Sequence, residues 1–249
     1  MSDPLRFACA VPVGFWHPLL PHALASLKDQ EAPLEVALLD ASGDPRVAET
    51  AEASGLSFAY RRQGPDGGQA AAITEGWRET GGDVVFWLNA DDRLRPGALA
   101  RVSALFQTEP GPDVVFGGSD FIDENGQIMG RHDQVGDATA LLYRSNTISQ
   151  PSCFARRTAV EKVGGLDERL HFVMDWDLWI RLHKSGARFE RSEEILSAVF
   201  MGEGTKTSTV SPRRLREVHG LVRRHAGAWA ALKSSLAVLT HTLNDRRGP

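Results

Sequence analysis

Val84-Val85-Phe86-Trp87-Leu88-Asn89-Ala90-Asp91-Asp92 is the stretch that decides the fold class. Five consecutive apolar residues suit a strand buried on both faces, and the polar cluster after Leu88 marks its end. Upstream, the glycine-rich Gly64-Pro65-Asp66-Gly67-Gly68 leads into a helical stretch from about Gln69 to Thr80, which Gly81-Gly82 closes. Farther back, Phe7 to Val13 reads as a strand, Pro18 to Gln30 as a helix, and Leu34 to Leu39 as a second strand ending at Asp40. Ser42-Gly43-Asp44-Pro45 supplies loop chemistry and a helix start, and Leu56 to Tyr60 reads as a third strand. Alternation of this kind predicts an α/β fold, a mostly parallel sheet covered by helices on both faces. Ligands of such sheets gather at the carboxyl ends of the strands, where Asp40 and Asn89-Ala90-Asp91-Asp92 both fall.

The second half is less regular. Asp113 to Gly118 and Gln127 to Gly130 read as strands joined by the turn Asp123-Glu124-Asn125-Gly126, and Arg188 to Arg191 begins another short strand. With 249 residues, one core with a C-terminal appendage is expected: a domain over 1–210 and an extension over 211–249. No apolar run approaches the roughly 20 residues needed to span a bilayer. The opening Met-Ser-Asp-Pro-Leu-Arg lacks the features of an export signal, so a cytoplasmic location is expected. Cys9 and Cys153, far apart and outside any CxxC pattern, are expected to be buried free thiols.

The net charge of −4 is unevenly spread. Residues 211–249 hold eight Arg and Lys against Glu217 and Asp245, so the remainder is more acidic than the whole. An acidic body is a poor general binder of nucleic acid, whereas the basic tail suits an anionic membrane surface, an acidic partner or the body itself.

Neighbouring carboxylates at a strand end suit a hard divalent cation, because Mg2+ and Mn2+ prefer oxygen ligands and commonly combine one or two carboxylates with phosphate oxygens. Asp91 and Asp92 offer that arrangement, although an Asp pair alone more often caps a turn. The run Gly64 to Gln69, then Gly76-Trp77, then Gly81 to Asp92 resembles the donor-binding half of family 2 glycosyltransferases with the GT-A fold. Gln150-Pro151-Ser152, Val163-Gly164-Gly165-Leu166-Asp167-Glu168 and Met174-Asp175-Trp176-Asp177-Leu178-Trp179 resemble the family's acceptor side. The likeness extends over about residues 6 to 209.

The resemblance implies a Rossmann-like three-layer αβα sandwich with a mixed, mostly parallel sheet. It also implies inverting transfer of a sugar from a nucleoside diphosphate donor, a UDP-sugar first, with Mn2+ or Mg2+ as cofactor. Surface polysaccharide or glycoconjugate synthesis follows by the same likeness, on a glycan or lipid-linked acceptor. Asn89-Ala90-Asp91 occupies the place of the family's Asp-x-Asp element, so Asp91 is the expected metal ligand, and Asp92 is assigned to orienting that site or the acceptor. Asp175 takes the place of the catalytic base, with Met174 where Glu is common. Asp40 corresponds to the acid that contacts the nucleotide's base or ribose. Asp66, Gly68, Gln69 and Asn89 complete the donor side, and Gln150, Trp176 and Asp177 belong to the acceptor or supporting set.

In Gly202-Glu203-Gly204-Thr205-Lys206-Thr207-Ser208, which resembles a loop that folds over the diphosphate in relatives, Lys206 is the expected phosphate contact, and the His common there is absent. Val11-Pro12-Val13-Gly14-Phe15 likewise replaces the side chains that usually grip the nucleotide base.

From Leu215, the residues Val218, Val222, His225, Trp229, Leu232, Leu236, Leu239 and Leu243 recur at three- and four-residue steps. They predict an amphipathic helix or helix pair with a bend at Gly227, which could lie on a membrane, pack on the body or pair with a second copy as a homodimer. A nucleotidyltransferase needs a basic, glycine-rich loop after its first strand, and Pro12 to Trp16 contains no Arg or Lys. A non-catalytic nucleotide-sugar-binding or scaffold protein on the same fold is the alternative, motivated by Asn89, Met174 and the absent loop His.

Overall fold

The computed structural model describes residues 4–132, 138–202 and 211–245. Strand β1 (Phe7–Val13) is buried along its whole length because it lies between two parallel partners, β2 (Leu34–Asp40) and β4 (Val84–Trp87). The register pairs Phe7 with both Leu34 and Val84, so these strands end on one edge and bring Asp40 and the segment after Trp87 to it. Strand β3 (Tyr60–Gln63) extends the sheet beyond β2. It starts where the apolar run Leu56 to Tyr60 was expected to end, since Leu56 and Phe58 serve instead as packing residues leading into it.

On the other side of β4 the sheet becomes mixed. Strand β5 (Arg93–Leu94) lies at the far margin, and β6 (Val114–Ile122) pairs antiparallel with β7 (Ile128–His132) and with β8 (Cys153–Arg156). Strand β8 inserts antiparallel between β4 and β6 and has no counterpart in the sequence reading. Only four residues long, it is too short to show a periodicity. Strand β9 (Phe189–Phe200) runs parallel to β6 for 12 residues rather than forming a short strand. Its polar start, Glu190-Arg191-Ser192-Glu193-Glu194, disguises that length in the sequence.

Alternation along β1 divides the core. Phe7, Cys9, Val11 and Val13 face α1 (Leu20–Lys28) and α4 (Ala98–Phe106), while Ala8 and Ala10 face α3 (Gln69–Arg78). Helix α2 (Pro45–Ala53) starts on Asp44, whose side chain accepts the Arg46 amide, with Pro45 in the first turn. Gly76 permits α3 to lie close to the sheet, because a Cβ there would come within 2.9 Å of Ala10 and Leu39. Trp87 is stacked 5.9 Å from Trp179 and meets Trp77 edge-on at 5.7 Å, joining the sheet to two helices. Cys9 and Cys153 are buried and free, as expected.

The remaining described helices are α5 (Ala138–Leu141), α6 (Arg157–Lys162), α7 (Met174–Lys184), α8 (Pro212–Ala226) and α9 (Ala228–Asp245). The tail is therefore a helix pair, and the bend falls at Gly227, whose φ of 87° lies in the left-handed region. Val218, Leu221, Val222 and Ala231 enter the same buried cluster as α3 and α7. The Glu217 carboxylate accepts the amides of His171 and Phe172 at 3.0 and 2.7 Å, fastening α8 to the body. The expected apolar stripe is divided, since Trp229, Leu232 and Leu236 are exposed. No helix among the described residues is long and apolar enough to cross a membrane.

Candidate active site

A cleft of about 810 Å³ opens at the carboxyl edge of the sheet. It brings together Gln69, Asn89, Asp92, Gln150, Asp175 and Trp176, which come from segments far apart in sequence. The floor includes Trp87, with Gln150 donating to its carbonyl at 2.8 Å.

One wall is an amide and carboxyl network. Gln69 Nε2 donates to Asn89 Oδ1 at 2.7 Å, and Asn89 Nδ2 donates to Asp92 Oδ2 at 2.9 Å and to Gln150 Oε1 at 3.2 Å. Asp92 Oδ1 accepts the Phe200 amide at 3.3 Å. A carboxylate at position 89 could not donate to Asp92, so the amide at this place has a physical reason. Burial pushes the Asp92 carboxyl well above the usual carboxylate range, and the neighbouring charge of Asp91 pushes the same way, against the hydrogen bonds from Asn89 and Phe200.

Facing this network is the first turn of α7. Asp175 is there with Asp177, where the helix dipole favours negative charge, and Asn146 Nδ2 holds Asp175 Oδ2 at 2.8 Å. Trp176 is buried and donates its indole N–H to the Leu142 carbonyl at 2.5 Å. Asp177 lies outside the cleft lining. It is buried against Arg181, 2.6 Å from its Nε, with Arg224 of α8 3.9 Å away.

The remaining predicted residues are more dispersed. Asp40 is buried and accepts both the Ser42 amide and hydroxyl, an Asx turn beside a smaller cavity of about 190 Å³ lined by Arg61, Arg62 and Gln63. Asp66 accepts the Gly68 amide at 2.8 Å and pairs with Arg62 at 3.2 Å. Gly68, at φ 110°, begins α3 in a conformation that favours glycine. Asp91 is half-buried beside Asp92. Lys206 lies outside the described residues.

Among the described residues no three His, Cys, Asp or Glu side chains converge as a self-sufficient metal site. Asp92 is engaged by Asn89 and the Phe200 amide, and the half-buried Asp91 stands next to it as a second carboxylate. One carboxylate with donor phosphates fits the oxygen preference of Mg2+ or Mn2+.

Sequence reasoning missed Asn146, which holds Asp175, and Arg144, Arg214 and Lys233, which also line the cleft. None belongs to a motif. Arg214 is drawn out of water, and burial pulls its pKa below the usual guanidinium value.

A mixed sheet in three layers with a polar cleft at its carboxyl edge is the architecture of the GT-A fold. The model of the glycosyl transferase family 2 matches residues 17–164, more than half of the chain, and the chain belongs to that family. It is similar to the O-antigen biosynthesis protein RfbC of Myxococcus xanthus, with 28% identity over 162 residues. That match takes in 62% of this chain and 13% of RfbC, so the chain spans only a small part of that relative. Among solved structures, S. aureus TarS 1-349 in complex with UDP-GlcNAc has a TM-score of 0.68 at 17% identity, covering 96% of this chain and 72% of that one. The mannosyltransferase PcManGT from Pyrobaculum calidifontis, in complex with GDP-Man and Mn2+, has a TM-score of 0.62 at 16% identity, covering 98% and 76%. At these identities the likeness concerns the fold.

Proposed function

We propose that this chain transfers a sugar, with inversion, from a nucleoside diphosphate sugar to an acceptor hydroxyl in the assembly of a surface polysaccharide or glycoconjugate. The observation that carries the reading is the placement of Asp175, held by Asn146, across one cleft from the Gln69, Asn89, Asp92 and Gln150 network. The acceptor oxygen attacks the anomeric carbon as the bond to the diphosphate oxygen breaks on the opposite face. Asp175 takes the hydroxyl proton. Gln69, Asn89 and Gln150 shape the donor side, Asp92 supports it, and Asp40, Asp66 and Gly68 shape the loops toward the nucleotide. Lys206 is assigned to the phosphates. A divalent cation at Asp91, Mn2+ or Mg2+, would supply positive charge to the leaving diphosphate.

UDP-sugars are the first donors to test, because TarS was solved with UDP-GlcNAc. In a thermal-shift panel of nucleotide-sugars, stabilisation by a UDP-sugar is expected to require Mn2+, and donor cleavage is expected with the same combination. Stabilisation without any sugar release would support a non-catalytic nucleotide-sugar-binding protein instead. A shift only with nucleoside triphosphates would refute both.

The exposed Trp229, Leu232 and Leu236 of α9, with the exposed Arg213, Arg216, Arg223 and Arg224 of α8, support peripheral contact with an anionic membrane at its cytoplasmic face. Co-sedimentation with anionic vesicles at low salt is expected, and replacing Trp229, Leu232 and Leu236 together by Glu should remove it. Indifference of the intact chain to vesicles, with a mass that doubles on concentration, would assign this face to a homodimer.

A further inference from the structure

One wall of the cleft comes from the C-terminal helices, which contribute Arg214, Val218, Lys233, Ser234 and Ala237. Ser234 Oγ donates to the Arg144 carbonyl at 2.8 Å, tying α9 to the segment that carries both Arg144 and Asn146. Three side chains of positive charge, Arg144, Arg214 and Lys233, therefore line the same cleft in a chain of net charge −4. The Lys233 ammonium lies 5.8 Å from the centre of the exposed Trp229 ring.

Their position relative to the two substrates is informative. Arg144 is two residues from Asn146, the group that holds Asp175, and Ser234 links it to Lys233. Gln69, Asn89, Asp92 and Gln150, on the donor side, are bonded to one another and include no cation. Arg144 and Lys233 thus belong to the stretch of cleft wall joined to the segment of Asn146, which holds the proposed base, and Arg214 lines the same cleft. Arg offers a planar fork and Lys a compact charge, and both are recurrent phosphate ligands. Cations lining a cleft also raise the local concentration of an anionic ligand.

We infer that the acceptor carries a phosphate group, and that Arg144, Arg214 and Lys233 form its subsite, with the C-terminal helices completing the cleft. This rests on the glycosyl-transfer reading for the word acceptor, but the anion subsite can be measured without any transfer. The phosphate could belong to a glycan chain or to a lipid carrier, and both present the same chemistry to the cations.

The test uses the full chain, glycerol 1-phosphate as probe and glycerol as its neutral counterpart, followed by NMR titration in the presence of UDP and Mn2+. Glycerol 1-phosphate is expected to bind and glycerol not. Arg144→Glu and Lys233→Glu should each weaken the phosphate by about tenfold or more, with UDP affinity within about twofold of the parent. Arg144→Gln and Lys233→Gln, which keep much of the side-chain bulk, should weaken it to a lesser degree and guard against misfolding of the charge-reversed forms. Equal phosphate affinity in all variants would overturn the inference, as would a parallel loss of UDP affinity, which would place the cations on the donor. Phosphate binding that depends on Arg144 and Lys233 in a protein that no nucleotide-sugar stabilises would uphold the subsite and remove the transfer reading. Tighter binding of dodecyl phosphate than of glycerol 1-phosphate, reduced by Trp229→Ala, would identify the lipid-borne source within the same inference.

Discussion

Replacing Asp175 with Asn is expected to slow glycosyl transfer by about 10²- to 10⁴-fold while leaving donor affinity within about twofold. The substitution keeps an oxygen that can accept from Asn146, so the 2.8 Å contact and the start of α7 should persist. What it removes is the ability to take a proton. Steady-state kinetics with nucleotide-sugar and acceptor, set beside donor binding by calorimetry, separate the two effects. Transfer that survives at a tenth of the parent rate or more would take the base assignment away from Asp175. A matched loss of donor affinity would mean that the residue organises the donor side instead.

Asp177→Ala should give the opposite pattern. Asp177 is 1% exposed, and its carboxylate lies 2.6 Å from Arg181 and 3.9 Å from Arg224. Arg181 also donates to the Val163 carbonyl at 2.7 Å, so the pair joins α7 to the end of α6 and to α8. Removing the buried carboxylate leaves a partly buried guanidinium without its counter-charge, a loss of about 3 kcal/mol in unfolding free energy. Urea denaturation reads this directly, while transfer per folded molecule is expected to stay near the parent value. Undiminished stability would mean that water replaces the carboxylate at Arg181, and a rate loss in fully folded protein would return Asp177 to the acceptor site. Two acids in one helical turn are thus separable by experiment, one acting on rate and the other on stability.

The same pair shows how far the sequence is legible. Period and spacing locate α7 and place Asp175 and Asp177 on different sides of it, but neither says which side faces the cleft. That depends on Trp179 and Leu178 turning toward the sheet, which carries Asp177 to Arg181 and leaves Asp175 beside Asn146. Asn89 is a second case. In a linear motif it is a substitution for Asp, whereas in the folded protein it donates to Asp92 and Gln150, residues 3 and 61 positions away.

By itself the sequence determined the α/β class, the parallel strands β1, β2 and β4, the carboxyl edge at which the polar cleft opens, and the bend at Gly227. These follow from local properties: continuous apolar runs for doubly buried strands, and glycine where the backbone must take a positive φ. The family likeness added the roles proposed for Asp91 and Asp175. Only the tertiary structure decided that β8 enters the sheet antiparallel, that β9 extends to 12 residues, and that Asn146 holds Asp175. It also decided that the basic tail supplies part of the cleft wall, because α8 buries Val218, Leu221 and Val222 against the body and directs Arg214 inward. Such contacts arise from packing between distant segments, and no local pattern in the chain specifies them.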